Sequence, residues 1–291
     1  MMRNALAVLI AVCIAVSSAA TSDETESINA YIAAAHERIF KQFNVLVLGD
    51  LSVAKAAFRG AIAVQGKAEL ADFDVGSDLG CDKDFRAVTV GKTLNARMGS
   101  VNGGYTVVGR GSKVHHSVSM KCSNRVEQYD SVHNGDVEFS EVRRSVLREA
   151  AEMCVSTPTG TVESANETLR FVPGEKGFSC YTFFKVSTDD LRLVQRWEYA
   201  GDDYYRNIVI VVSGLRSEFR DLRMHGFNPR RTLIVFCAVY GSFELYNAKV
   251  QASVLAPTAS ITTMDSIVNG SLIIGALRGS LATLNVPYVT C

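Results

Sequence analysis

The sequence predicts a mainly β fold: a β-solenoid with one long flanking α-helix and a short N-terminal helix. Three observations lead there. Four short apolar runs (residues 45–48, 61–64, 87–90 and 105–108) each lead into a glycine, at Gly49, Gly66, Gly91 and Gly109. The glycines lie 17, 25 and 18 residues apart, which suits a strand, a turn and a return in one solenoid coil. Glycine is expected at these corners because it accepts positive φ at low steric cost. A helical period over residues 136–154 then interrupts the β rhythm, and strands resume beyond it. A Greek-key sandwich also has short strands and turns, and the uneven spacing leaves that architecture open.

The elements follow in order. Met1 to Arg3 form a short positive region, residues 5–16 are uninterruptedly apolar, and small residues follow to Ala20. The apolar run is too short to span a bilayer, so residues 1–20 read as a signal peptide. Residues 21–42 read as a helix. Thr21-x-x-Glu24 is a capping box, and Ile28, Tyr31, Ile32, Ala35 and Ile39 form one apolar face. Residues 43–291 then form a single β-solenoid domain. Within its helix, Val142, Val146, Ala150 and Met153 line one side, with Arg143, Arg144, Arg148 and Glu149 largely on the other. Turn residues around Pro158, Gly160, Pro173 and Gly174 separate it from strands at 181–186, 207–212, 232–238, 243–246 and 252–255. The last stretch, 261–289, mixes strand with turns at Gly270, Gly275 and Gly279.

Composition narrows the function classes. The chain of 291 residues is 47% hydrophobic, which excludes intrinsic disorder. Its 30 basic and 30 acidic residues cancel, which excludes a polybasic nucleic-acid binder on bulk charge. After the signal no second membrane segment appears, so no stable membrane insertion is expected. The tail carries Arg278, Asn285 and Pro287 and no sorting-type motif, so the exported chain is expected to lack an anchor.

Export changes the reading of cysteine. Six remain after the signal: Cys81, Cys122, Cys154, Cys180, Cys237 and Cys291. An even number in an oxidising compartment predicts three disulfides. The preferred pairing is Cys81–Cys122 across the third and fourth coils, Cys154–Cys180 across the turn-rich excursion, and Cys237–Cys291 pinning the tail. No C-x-x-C or H-x-x-x-H spacing suggests a metal site. Asn166 and Asn269 head glycosylation sequons, usable if the source is eukaryotic.

Catalytic signatures are missing. There is no G-x-S-x-G elbow, no phosphate loop and no dinucleotide fingerprint. His115 and His116 are adjacent on an expected strand, where neighbours point to opposite faces. Asp189-Asp190 and Asp202-Asp203 read as turn residues rather than as the spaced carboxylates of glycan hydrolysis. Trp197, Tyr199, Tyr204 and Tyr205 are candidate ligand-contact aromatics that could stack on a sugar ring, though they suit a core or strand surface equally.

Several segments together carry a family resemblance. Residues 43–51 (FNVLVLGDL), 59–66 (RGAIAVQG), 73–76 (FDVG) and 100–109 (SVNGGYTVVG) come first. Then follow 137–139 (VEF), 207–214 (NIVIVVSG), 252–259 (ASVLAPTA) and 268–272 (VNGSL). In this order and spacing, over about residues 43–288, the chain resembles the choice-of-anchor A domain family. Gln65 stands where that family usually has a second glycine. The resemblance implies an exported adhesive module with an ice-binding-like β-solenoid, no catalytic residues and no cofactor. Its partner would be an extracellular surface, glycan or matrix component, with no nucleic acid involved.

Three function classes follow: a secreted adhesive or structural binding module, an ice- or crystal-binding solenoid, and a β-helix polysaccharide enzyme. The first is favoured. Ice-binding solenoids display threonine rows on a flat face, and here Thr262-Thr263 is the only such doublet, with charged residues interrupting the coils. The enzyme reading lacks an acid and arginine constellation.

Overall fold

The computed structural model describes residues 40–82, 84–122, 125–130, 138–174, 180–191, 194–202, 205–237 and 241–290. The expected signal peptide and most of the expected N-terminal helix lie outside these residues; residues 40–42 are helical.

The described strands wind as a solenoid whose first strand lies in its middle. The first coil consists of β1 (Val45–Val47) and β2 (Leu51–Phe58), the second of β3 (Ile62–Val64) and β4 (Ala68–Val75). The third has β5 (Arg86–Val90) and β6 (Leu94–Val101); the fourth has β7 (Tyr105–Gly109), β8 (Lys113–Val114) and β9 (Val118–Met120); β10 (Val126–Tyr129) begins a fifth. Helix α1 (Phe139–Val155) follows, and then the hairpin β11 (Gly160–Ala165) and β12 (Thr168–Pro173). Coiling resumes with β13 (Tyr181–Ser187), β14 (Arg196–Tyr199), β15 (Asn207–Ser213), β16 (Arg216–Arg220) and β17 (Arg223–His225). It continues through β18 (Thr232–Phe236), β19 (Ser242–Tyr246), β20 (Lys249–Val250), β21 (Ser253–Asn269) and β22 (Leu272–Leu284).

Strand pairing closes these two series into one stack. β22 pairs in parallel with β21 on one side and with β1 and β2 on the other, so the last coil seats on the first. Every pairing is parallel except β11 with β12, which rules out the Greek-key alternative. Three sheet faces result. On the first, the order is β13, β15, β18, β21, β22, β1, β3, β5, β7, β10. The second runs from β16 and β19 through the middle of β21 and β22 to β2, β4, β6 and β8. The third runs from β12, β14, β17 and β20 through the ends of β21 and β22 to β2, β4, β6 and β9.

Side chains of all three faces fill a single core, from Val47, Leu51 and Phe58 in the middle to Phe171, Trp197 and Phe227 near the hairpin end. A second cluster covers the outer side of the first face. There Phe139, Val146 and Ala150 of α1 pack on Val209, Val211, Leu233, Val235, Leu255 and Ile273. Residues 208–212 and 233–236 are apolar without alternation because this face is buried on both sides. Glu149, expected on the exposed side of α1, is buried instead, because the helix packs inward over a wider arc than four aligned apolar residues suggest.

The corners correct the expected role of glycine. Gly49, Gly66, Gly91 and Gly109 do not have positive φ. They are needed because coils approach closely: a Cβ on Gly91 would lie 2.5 Å from the Gln65 carbonyl oxygen, and one on Gly109 2.3 Å from that of Lys92. Positive φ belongs to the corner between the second and third faces. There Lys55, Asp72, Met98, Asp221, Asn247 and Asp265 have φ between 49° and 57°, and Gly279 has φ 111°. At each coil two consecutive residues point outward, such as Ala54-Lys55 and Met264-Asp265, and the left-handed residue turns the strand onto the next face. Asp and Asn tolerate that conformation best, which accounts for four of the six non-glycine positions.

His115 and His116 lie between β8 and β9 rather than on a strand, and their rings sit side by side with centroids 3.8 Å apart. Cys81 is bonded to Cys122 and Cys154 to Cys237. The second bridge overturns the expected Cys154–Cys180 and Cys237–Cys291 pairs. Cys154 ends α1 directly over the first face, which brings it to Cys237 just beyond β18 and not to the residue opening the next strand. Cys180 is also disulfide-bonded, and Cys291 lies outside the described residues.

Candidate functional site

With α1 on the first face, the second and third faces supply the open sheet surface. On the second, strand register aligns one outward row as Glu218, Glu244, Thr262, Arg278, Ser52, Glu69, Asn95 and Lys113. The neighbouring row contains Arg220, Tyr246 and Met264, then Ala54, Ala71 and Arg97.

Small residues in that second row open a trough of about 670 Å³. Ala54, Ala71, Gly279 and Ser280 make its floor, with Tyr246 and Met264 at one end and Arg97 towards the other. Ser52, Glu69, Asn95 and Thr262 run along its side. Ser52 donates to Glu69 Oε2 at 3.3 Å. Tyr246 donates its hydroxyl proton to Glu244 Oε2 at 2.7 Å, and the Arg220 guanidinium lies 5.0 Å from its ring centroid. That hydrogen bond to a carboxylate raises the Tyr246 pKa and keeps the phenol protonated.

An apolar floor flanked by hydroxyls, an amide, a carboxylate and a guanidinium suits a hydroxyl-rich ligand with a flat carbon face. Among the described residues that line the trough, Glu69 is the one carboxylate. Among the described residues no group of three or more His, Cys, Asp or Glu could hold a metal ion. Thr262 points outward but Thr263 is buried and donates to the Arg278 carbonyl at 3.2 Å, so the threonine doublet does not form a row.

The candidate aromatics do not assemble a site. Trp197 has 0% exposure, packed against Phe171 and Phe219 at centroid distances of 5.2 and 5.8 Å. It is a core residue, because its position on β14 points into the solenoid. Tyr199 is half-buried against Phe184 and Phe227. Tyr204 lies outside the described residues. Tyr205 is 83% exposed and stands apart from the trough. Asn166 is exposed at the tip of the β11–β12 hairpin. Asn269 is half-buried and donates to Gln251 Oε1 at 2.8 Å. Asp190 is a turn residue: its carboxylate accepts from the Ser187 amide and hydroxyl at 2.9 and 2.7 Å.

Sequence reasoning missed Glu69, Arg97 and Tyr246. They lie on different coils, and nothing local marks them; only the register aligns the small residues between them.

Three solved structures resemble the chain in outline. An ice-binding protein from the Antarctic ascomycete Antarctomyces psychrotrophicus is 12% identical, with a TM-score of 0.43 over 87% of this chain and 98% of its own. A glycosylated ice-binding protein from an Arctic yeast is 11% identical, with a TM-score of 0.40 over 87% and 94%. A Shewanella frigidimarina ice-binding protein domain is 12% identical, with a TM-score of 0.32 over 84% and 92%. The solenoid itself is established by its parallel strand pairing. Among curated proteins, no sequence matches. A family model described as an ice-binding-like adhesive domain matches residues 36–284. That match covers both coil series and the helix between them, and the chain belongs to the ice-binding-like adhesive domain family.

Proposed function

We propose that the protein is a secreted, non-catalytic adhesive module that binds a glycan on an extracellular surface or matrix through the trough of its second face. The observation that carries this reading is the floor of Ala54, Ala71, Gly279 and Ser280, in which Ala54 and Ala71 are in register, bordered by hydrogen-bonding side chains. Membership of an adhesive family supports it, as does the resemblance to choice-of-anchor A domains. The disulfides and the expected signal peptide agree with export. Ice binding is the weaker reading, because the outward row beside the trough has Glu218, Glu244, Arg278, Glu69 and Lys113 where a flat hydroxyl lattice would be needed.

A glycan array probed with the mature protein and with Ala71→Trp tests the proposal. Binding by the wild type and its loss in the variant are expected. Failure to bind any glycan, or equal binding by the filled trough, overturns it. Thermal hysteresis in a freezing assay would favour ice instead.

A further inference from the structure

We infer that the third face holds a second site, a cationic ladder that binds a linear anionic polysaccharide along the solenoid axis. Arg196, Arg223 and Lys249 occupy one outward position on three successive coils: Arg196 is in register with Arg223, and Arg223 with Lys249. Adjacent coils are about 4.8 Å apart, so three cations line up within about 10 Å. An extended acidic polysaccharide has a carboxylate or sulfate on a repeat of comparable length. It could therefore meet one cation per coil.

The central residue is pre-set. Arg223 Nη1 donates to the carbonyl oxygens of Leu222 at 2.9 Å and Asn247 at 2.5 Å, which holds the guanidinium in one orientation with donors to spare. Among the described residues, neither Arg223 nor Lys249 forms an ion pair with a carboxylate, and Arg196 alone meets one, Glu198 at 3.5 Å. Towards the middle of the solenoid the same row becomes uncharged, at Ile267, Ala282 and Ala57, and the acidic residues Asp265, Asp72 and Asp74 that line the surface there mark the end of the ladder on that side. The zero net charge of the chain conceals this local concentration of cations. A polysaccharide suits the site better than nucleic acid or anionic lipid, because the ladder is one row wide and follows the axis without a broad basic field or an apolar anchor.

The inference rests on the reading of the chain as a glycan-binding module but uses a different surface, so the two can fail separately. Affinity electrophoresis of the mature protein through dextran sulfate, polygalacturonate and neutral dextran tests it, with duplex DNA and anionic phosphatidylserine vesicles as further arms. Retardation by one or both acidic polysaccharides and not by neutral dextran is expected, weakening as salt rises. Response to sulfate or to carboxylate identifies which anion is read. The triple variant Arg196→Gln, Arg223→Gln, Lys249→Gln should bind about tenfold or more weakly, while Ala71→Trp should bind the polyanion like the wild type. Should the triple variant melt early, Lys249→Gln alone, at an exposed position, should weaken binding about twofold. No retardation of the wild type, unchanged retardation of the variants, or equal binding to DNA or vesicles overturns the ladder. Polyanion binding without any neutral glycan on the array would uphold the ladder and reject the trough.

Discussion

Val45, in the first strand, lies in register beside Leu272, in the last, and this pairing joins the two coil series into one solenoid. Asn44 locks the junction. Its Nδ2 donates to the carbonyl oxygens of Gly270 and Leu284, both at 3.0 Å. Its Oδ1 accepts from the Gly60 amide at 3.3 Å and the Thr283 hydroxyl at 2.5 Å. The residue is 2% exposed, so few of these bonds could be replaced by water.

Asn44→Ala leaves several buried polar groups unpaired at one seam. At about 1–3 kcal/mol for each unsatisfied group, a loss of about 3 kcal/mol or more is expected. Denaturant unfolding measures it. A loss under about 1 kcal/mol would mean that the seam is held by strand pairing alone.

Non-reducing peptide mapping should recover Cys81 joined to Cys122 and Cys154 joined to Cys237. Recovery of a Cys154–Cys180 peptide would contradict the placement of α1. The bridges span 41 and 83 residues, and loop-closure entropy assigns each about 4 kcal/mol. Cys154→Ser with Cys237→Ser should therefore lower the melting temperature sharply.

Trp197 should behave as a core residue. Trp197→Ala should destabilise by about 3–5 kcal/mol, and Trp197→Phe should leave glycan binding intact. As the lone tryptophan, it should fluoresce at the short wavelengths of an apolar site and resist soluble quenchers. Quenching by added glycan would argue against its burial.

Gly91→Ala should destabilise although φ there is negative. The new methyl would meet the Gln65 carbonyl at 2.5 Å, and such overpacking costs about 1–3 kcal/mol. Gly80, whose added Cβ meets nothing within 4 Å, is the control and should tolerate alanine. Thermal melts of the two variants separate close approach from a general glycine effect.

Asp190 should titrate below the ordinary carboxylate range, because the Ser187 amide and hydroxyl both donate to its charged form. With the folded pKa lowered, its contribution to stability is present above the unfolded value of about 3.9 and lost as pH falls through the folded value. Proton NMR titration checks this, and Ser187→Ala should move the midpoint upward. The group is exposed, so the contribution is small.

Much of this architecture was legible in residues close in sequence. Strand runs such as 207–212, the amphipathic period of α1 and the glycine punctuation are local patterns, because strand and helix periods act over a few residues. They established a solenoid with a flanking helix, and the even cysteine number pointed to disulfides. Tertiary structure alone decided how the coils stack. The first strand, β1, lies mid-stack and α1 carries the chain to the far end, so Val45 meets Leu272 and Cys154 meets Cys237. Stacking also decided the surfaces: Ala54, Ala71 and Gly279 become one floor, and Arg196, Arg223 and Lys249 one ladder. Trp197 turned inward for the same reason, since register determines which of two alternating sides each residue faces. Such pairings join residues distant in sequence, and their energies depend on register across coils, which no local pattern encodes.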